Sequence, residues 1–175
     1  MDVRHYPDPV LTRPATPVAV FDDALRTRIA EMFETMYVEG GVGLAAPQVG
    51  WDARALVLNP AGAREDESGV LAVVNPRLVK KWGRATAEEG CLSFPGIFVD
   101  VTRPKGVRVR FQDVDGSEHE FELDDFRARI LQHEMDHLEG VLLVHRMSPV
   151  DKIRYRAELD ELRTEYEERI AAARG

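Results

Sequence analysis

From Phe21 to Gly41 the apolar positions recur every three or four residues, and Leu25, Ile29, Met32, Phe33 and Met36 share one helical face. The spacing predicts a helix, capped at its start by Asp22 or Asp23 and ended by Gly40 and Gly41. The period then changes. "RALVLN" (54–59) and "VLAVVN" (70–75) are short apolar runs rich in branched residues, predicted as buried strands joined by the charged loop "PAGAREDESG" (60–69). In residues 106–125, Val107, Val109 and Phe111 alternate with polar positions, Asp115-Gly116 supplies a turn, and Phe121 and Leu123 alternate after it, which predicts a hairpin. Helical spacing returns from about Asp125 to Glu139, with Gly140 as its stop. It returns again from Pro149, where Leu159, Leu162, Tyr166 and Ile170 form a stripe among charges. Four prolines in residues 1–20 mark an extended lead-in. The expectation is an α+β fold: mixed or antiparallel sheets packed around the helix at 125–139, with a C-terminal helix over 148–175, in one domain spanning 1–175.

Composition narrows the function classes. A chain of 175 residues with 44% hydrophobic content suits a single core. The formal net charge is −8 and no long basic run appears, so a nucleic-acid groove is not expected. One cysteine, Cys91, rules out an internal disulfide and fits a reducing compartment. No apolar run approaches the roughly 20 residues that span a bilayer, and the first residues lack a signal-peptide core. A soluble cytoplasmic protein without a membrane partner is therefore expected.

The helix at 125–139 carries the chemistry. "LQHEMDHLEG" (131–140) puts His133 and His137 four residues apart, on one helical face, where two imidazoles can bind one metal ion. Glu134 follows the first histidine and is placed to act as a base on water held by the metal. A catalytic site usually needs a third protein ligand and one open position. Glu139 is close in the chain, His145 lies beyond Gly140, and Cys91 sits between glycine and a Phe94-Pro95-Gly96 turn in "EEGCLSFPG" (88–96). A thiolate adds the charge that two neutral imidazoles lack. Two other readings stay open on these residues: a peptidase with a conventional downstream ligand, and a closed structural site with His5, His119 or His145 as fourth ligand. Read alone, Gln48 is a solvated loop glutamine.

Three segments in this order, "GVGLAAPQVG" (41–50), "EEGCLSFPG" (88–96) and "QHEMDHLEG" (132–140), resemble the signature motifs of peptide deformylases, and the resemblance covers essentially the whole chain. It implies hydrolysis of the formyl group from the N-terminal formylmethionine of nascent polypeptides. It implies one divalent metal on Cys91, His133 and His137, with Fe²⁺ favoured and Zn²⁺, Ni²⁺ or Co²⁺ able to substitute. By ligand type alone, zinc would be the expectation. The same resemblance gives Glu134 the role of general base, and makes the Gln48 side-chain amide and the Leu92 backbone N–H donors to the oxyanion. It places the methionine pocket at Val42, Gly43, Phe126, Arg129 and Ile130. The Arg129 stem is expected to line that pocket with its guanidinium outside. Glu89 and Arg103 are expected to form an ion pair that supports the cysteine segment. Phe98 stands where some members carry arginine. Some relatives dock on the ribosome through a C-terminal helix; here Lys152, Arg154, Arg156, Arg163, Arg169 and Arg174 alternate with acids, a mixed face that attracts RNA weakly.

Overall fold

The computed structural model describes residues 1–173; Arg174 lies outside the described residues. The described chain runs α1 (Asp23–Val38), β1 (Gly43–Ala45), β2 (Ala55–Leu58), β3 (Leu71–Trp82), β4 (Ala85–Cys91), β5 (Phe94–Arg103), β6 (Gly106–Gln112), β7 (Glu118–Asp124), α2 (Asp125–Leu138), α3 (Leu143–Arg146), α4 (Pro149–Arg154) and α5 (Arg156–Ala172). Five strands form one sheet in the order β1-β2-β3-β6-β7, and β4 and β5 form a separate hairpin. The paired strands of both sheets are antiparallel, so the mixed alternative falls away.

The apolar pattern explains the layers. In β2 all four side chains are buried. Leu56 and Leu58 face the core beneath α2, with Val107, Val109, Leu123 and Leu131. Ala55 and Val57 face the opposite core, closed by Leu25, Ile29, Met32 and Met36 of α1. A strand covered on both faces reads as a continuous apolar run rather than an alternating one. A third core joins Ile97, Val99 and Val101 of β5 to Leu159 and Leu162 of α5, with Leu11 from the lead-in.

Helix ends follow local chemistry. The Asp22 carboxylate accepts from the Leu25 N–H at 2.9 Å and caps α1. Past the end of α2, Gly140 adopts φ +70°, and a Cβ there would meet the Thr12 carbonyl oxygen at 2.5 Å. Conformation and space both require glycine at that stop.

Three expectations change. The strand begun by "VLAVVN" runs on to Trp82, through Pro76, because the register shifts between Val74 and Arg77 and the bulge removes the need for a proline N–H. Residues 85–103 form a full hairpin, which the polar β4 segment hid. The C-terminal helix is two helices, not one. The break falls at Tyr155, whose buried ring joins the third core while its hydroxyl donates to the Phe98 carbonyl at 2.8 Å.

Candidate metal centre and active site

Helix α2 crosses beneath the sheet with its motif face buried: His133, Glu134 and His137 are each under 10% exposed. The β4–β5 hairpin brings Cys91 to the same place at the end of β4. One ligand atom from each of Cys91, His133 and His137 lies within 4.8 Å of the others, with Cys91 Sγ 3.3 Å from His137 Nε2. Among the described residues, this is the cluster with metal-ligand spacing. The two nearer-in-chain candidates are engaged elsewhere. Glu139 pairs with Arg54 at 2.7 Å, and His145 Nδ1 accepts from the Leu142 N–H at 2.9 Å. His119 is paired with Asp113 at the β6–β7 turn, remote in role from the cluster.

The histidine Nδ1 atoms are treated differently. His133 Nδ1 contacts Glu89 Oε2 at 3.0 Å, which orients the ring and frees its other nitrogen for the cluster. His137 Nδ1 is buried without a partner. Glu89 is held by Arg103 through two bonds of 2.6 and 2.9 Å and by Arg129 at 2.6 Å. Burial by itself would raise the Glu89 carboxyl; the His133 and Arg103 hydrogen bonds and charges outweigh it and hold the group down to about 2. Arg103 continues to Asp136 at 2.8 Å, and Arg146 clamps that carboxylate from outside.

Gln48 is buried, in the short turn after β1. Its Oε1 accepts from the Ala45 N–H at 2.8 Å, which leaves its Nε2 to face Ser93 Oγ at 3.3 Å and Cys91 Sγ at 3.7 Å. Leu92 lies in the two-residue turn between β4 and β5, directly after Cys91. Glu134 is 5% exposed, and its Oε2 has no hydrogen-bond partner. Burial pushes its carboxyl up to about 7, against the opposing charge of His133. A carboxyl in that range can take and return a proton near neutral pH.

A cavity of about 600 Å³ opens beside these groups. Val42, Gly43, Ile130 and the half-exposed Phe126 line it, as does Arg129. The Arg129 guanidinium is not outside in solvent as expected. It is turned inward onto Glu89 and two backbone carbonyls, because the desolvated carboxylate attracts it more strongly than the rim does. Gly43 lacks a side chain for a local reason: a Cβ there would lie 2.6 Å from Glu134 Oε1 and 2.7 Å from Ile130 Cγ2.

The model of the family described as "Polypeptide deformylase" matches residues 1–153 of the chain. The chain belongs to the polypeptide deformylase family. Its similarity to the peptide deformylase of Thermotoga neapolitana is 46% identity over 161 residues, 91% of this chain and 94% of the relative. To that of Chlorobaculum parvum it is 43% over 164 residues, 93% of this chain and 88% of the relative. Among solved structures, peptide deformylase 1B of Arabidopsis thaliana with a bound inhibitor superposes with a TM-score of 0.91 at 40% identity, covering 97% of this chain and 93% of that one. The Plasmodium falciparum peptide deformylase gives 0.92 at 39% identity, covering 95% and 97%.

The donors fit the metal dependence of the deformylase family. One thiol and two imidazoles make a set that suits Fe²⁺ or Zn²⁺, and the lone Glu134 oxygen is an acceptor whose natural partner is water or substrate. Reading the sequence missed Ser93, which is fully buried against Gln48, and missed Asp136 and Arg146. The signal for Asp136 was its position, three residues after His133 on the same helical face. No helix among the described residues is long and apolar enough to cross a membrane.

Proposed function

We propose that this chain removes the formyl group from N-terminal formylmethionine of new polypeptides, in the cytoplasm, with Glu134 as the proton carrier. The observation that supports this most directly is the meeting of three distant segments: Gln48, the Cys91–Leu92 pair and the α2 motif surround one cavity. Cys91, His133 and His137 would hold a divalent ion, which would supply the Lewis acidity that lowers the pKa of water to near neutral pH. Fe²⁺ is the ion proposed, from the likeness to the family.

The chain's own groups do the rest. Glu134 takes a proton from the attacking water at a carboxylate oxygen and hands it to the leaving amine nitrogen, so one amide bond and one water become formate and a free amine. Gln48 Nε2, its orientation set by the Ala45 N–H, donates to the formyl oxygen as negative charge grows there, and the Leu92 N–H donates beside it. Removing one such donor costs about 100- to 1000-fold in rate. Val42, Ile130 and Phe126 offer apolar surface to the methionine side chain. Gly43, with no Cβ to crowd Glu134 and Ile130, leaves the formyl group room to approach the Glu134 carboxylate.

The test is hydrolysis of a formyl-Met peptide beside its acetyl-Met and internal-peptide-bond analogues, with metal analysis of protein purified without oxygen. Release of formate alone supports the reading; cleavage of internal bonds, or a tightly held metal with no turnover of any substrate, refutes it. Docking on the ribosome through the C-terminal segment α4–α5 is a separate proposal. Arg163 bonds to Asp160 and Tyr6, and Arg169 pairs with Asp8, which leaves Lys152 and Arg154 of α4 and the exposed Arg156 at the start of α5 as the freer cations. Cosedimentation with ribosomes that survives 200 mM salt supports docking; its loss at low salt refutes it.

A further inference from the structure

Arg129 stands one turn before His133 on α2 and is 9% exposed. A buried guanidinium must satisfy its donors, and this one does so with three partners. Nη1 donates to Glu89 Oε1 at 2.6 Å and to the Val101 carbonyl at 2.9 Å, and Nη2 donates to the Ala85 carbonyl at 2.8 Å. Ala85 opens β4 and Val101 lies on β5, so both carbonyls belong to the hairpin that carries Cys91.

The geometry therefore joins two pieces of the centre. Helix α2 supplies His133 and His137; the hairpin supplies Cys91 and Glu89. Arg129 and His133, four residues apart on one helical face, reach opposite oxygens of the same Glu89 carboxylate. Arg103 already neutralises that carboxylate through two bonds. A second guanidinium is not needed for charge alone. What it adds is a fixed three-point tie between the histidine helix and the cysteine hairpin, at the Glu89 carboxylate and two backbone carbonyls. Arg103, on β5 itself, ties the hairpin to the helix at Asp136, while Arg129 reaches from the helix to Ala85 at the other end of β4 and to Val101.

We propose that Arg129 is a positioning residue of the metal centre, setting the placement of the Cys91 hairpin against the His133–His137 face, and is not a selector of the methionine side chain. The proposal rests on the metal-centre reading of Cys91, His133 and His137. It does not depend on which reaction the centre performs.

The test compares Arg129→Met and Arg129→Lys with the unaltered protein, each loaded with Zn²⁺ or Co²⁺. Methionine keeps the apolar stem and removes every donor; lysine keeps the charge and reaches fewer partners. Outer partners of metal-bound histidines are worth about 10- to 100-fold in metal affinity. The expected result is metal loss to a chelator 10- to 100-fold faster in Arg129→Met and less so in Arg129→Lys. The visible spectrum of the Co²⁺ form should shift, and KM for a formyl-Met peptide should stay within about threefold.

A raised KM, or an altered preference for the residue bearing the formyl group, with normal metal loss, would make Arg129 a pocket wall and overturn the proposal. A lowered melting temperature with unchanged metal loss and an unchanged Co²⁺ spectrum would reduce it to packing, and overturn it equally. If Arg129→Met does not accumulate folded, Arg129→Lys decides alone: metal loss several-fold faster supports the proposal, and loss at the wild-type rate refutes it. Metal readouts that shift in a protein without deformylase activity would count against the proposed reaction and leave the role of Arg129 standing. A wild-type protein that holds no metal would remove both.

Discussion

Gly43→Ala adds one methyl group at the most crowded point of the site. The new carbon would lie 2.6 Å from Glu134 Oε1, 2.9 Å from Glu134 Cγ and 2.7 Å from Ile130 Cγ2. Ordinary contacts need about 3.5 Å or more, so the Glu134 side chain must retreat by close to 1 Å. Buried on its helix face, it can retreat only toward the cavity and away from its present position, and β1 cannot slide because Gly43 and Leu44 are registered against Leu58 and Val57. Overpacking of this kind costs about 1–3 kcal/mol, or roughly 3–10 °C in melting temperature for a chain of this size. A displacement near 1 Å in a catalytic group costs about 100-fold in rate. We therefore expect kcat/KM on a formyl-Met peptide to fall about 100-fold, with the metal content unchanged because none of the three ligands is touched. Gly41→Ala is the control: its Cβ meets Leu92 Cδ1 at 2.9 Å, the far end of a flexible side chain, and the loss should be under tenfold. Activity of Gly43→Ala within fivefold of wild type, at unchanged stability, would refute the argument that this contact sets the position of Glu134.

Glu134→Gln should keep its metal and lose activity by at least 100-fold, since shape is retained and the proton carrier is gone; metal analysis beside formate release checks both halves. Cys91→Ser should lose metal and activity together, because a serine hydroxyl stays protonated where a thiol yields its proton to a metal; a tightly metallated, active Cys91→Ser would mean the third ligand lies elsewhere. The folded carboxyl of Glu89 lies at about 2, below the unfolded carboxylate range, so its contribution to stability is fully present above about pH 4.5 and is lost as pH falls toward 2. Urea unfolding of metal-free protein from pH 6 to 2 should accordingly show a flatter acid limb in Glu89→Gln; equal slopes in the two proteins would refute the assignment.

How much of this could be read from the sequence depended on how local each signal was. His133, Glu134 and His137 were legible because a helical face is defined by spacing of four, and Gly140 marked the helix end. The β6–β7 hairpin was legible because alternation and its turn lie within twenty residues. The β4–β5 hairpin was not. β4 reads Ala-Thr-Ala-Glu-Glu-Gly-Cys, with little apolar alternation, because its one buried residue is Glu89, which meets Arg103 and Arg129. A charged residue at a buried strand position looks like surface until its partner is known. The same blindness applied to Arg129. Its place on the cavity side of α2 was readable, but the carboxylate waiting across from it sits forty residues away in the chain. The break at Tyr155 carries no proline or glycine to announce it; a tertiary hydrogen bond to the Phe98 carbonyl and burial of the ring decide it.

Two of the polar atoms buried without partners belong to the site, Glu134 Oε2 and His137 Nδ1. Around them, hydrogen bonding is otherwise generous: Glu89 meets two arginines and a histidine, Gln48 is tied at both ends, and Gln132 donates to two carbonyls. The contrast is informative, because a fold able to satisfy the neighbours so fully had the means to satisfy Glu134 as well. A bound donor at Glu134 would turn the free oxygen into a satisfied one, and its carboxyl, raised to about 7 by burial, would fall as the charged form gained that partner. A carboxylate left free by the protein's own groups is open to water or substrate in the cavity, and full satisfaction by the protein itself would stabilise its charged form and lower its capacity to take up a proton.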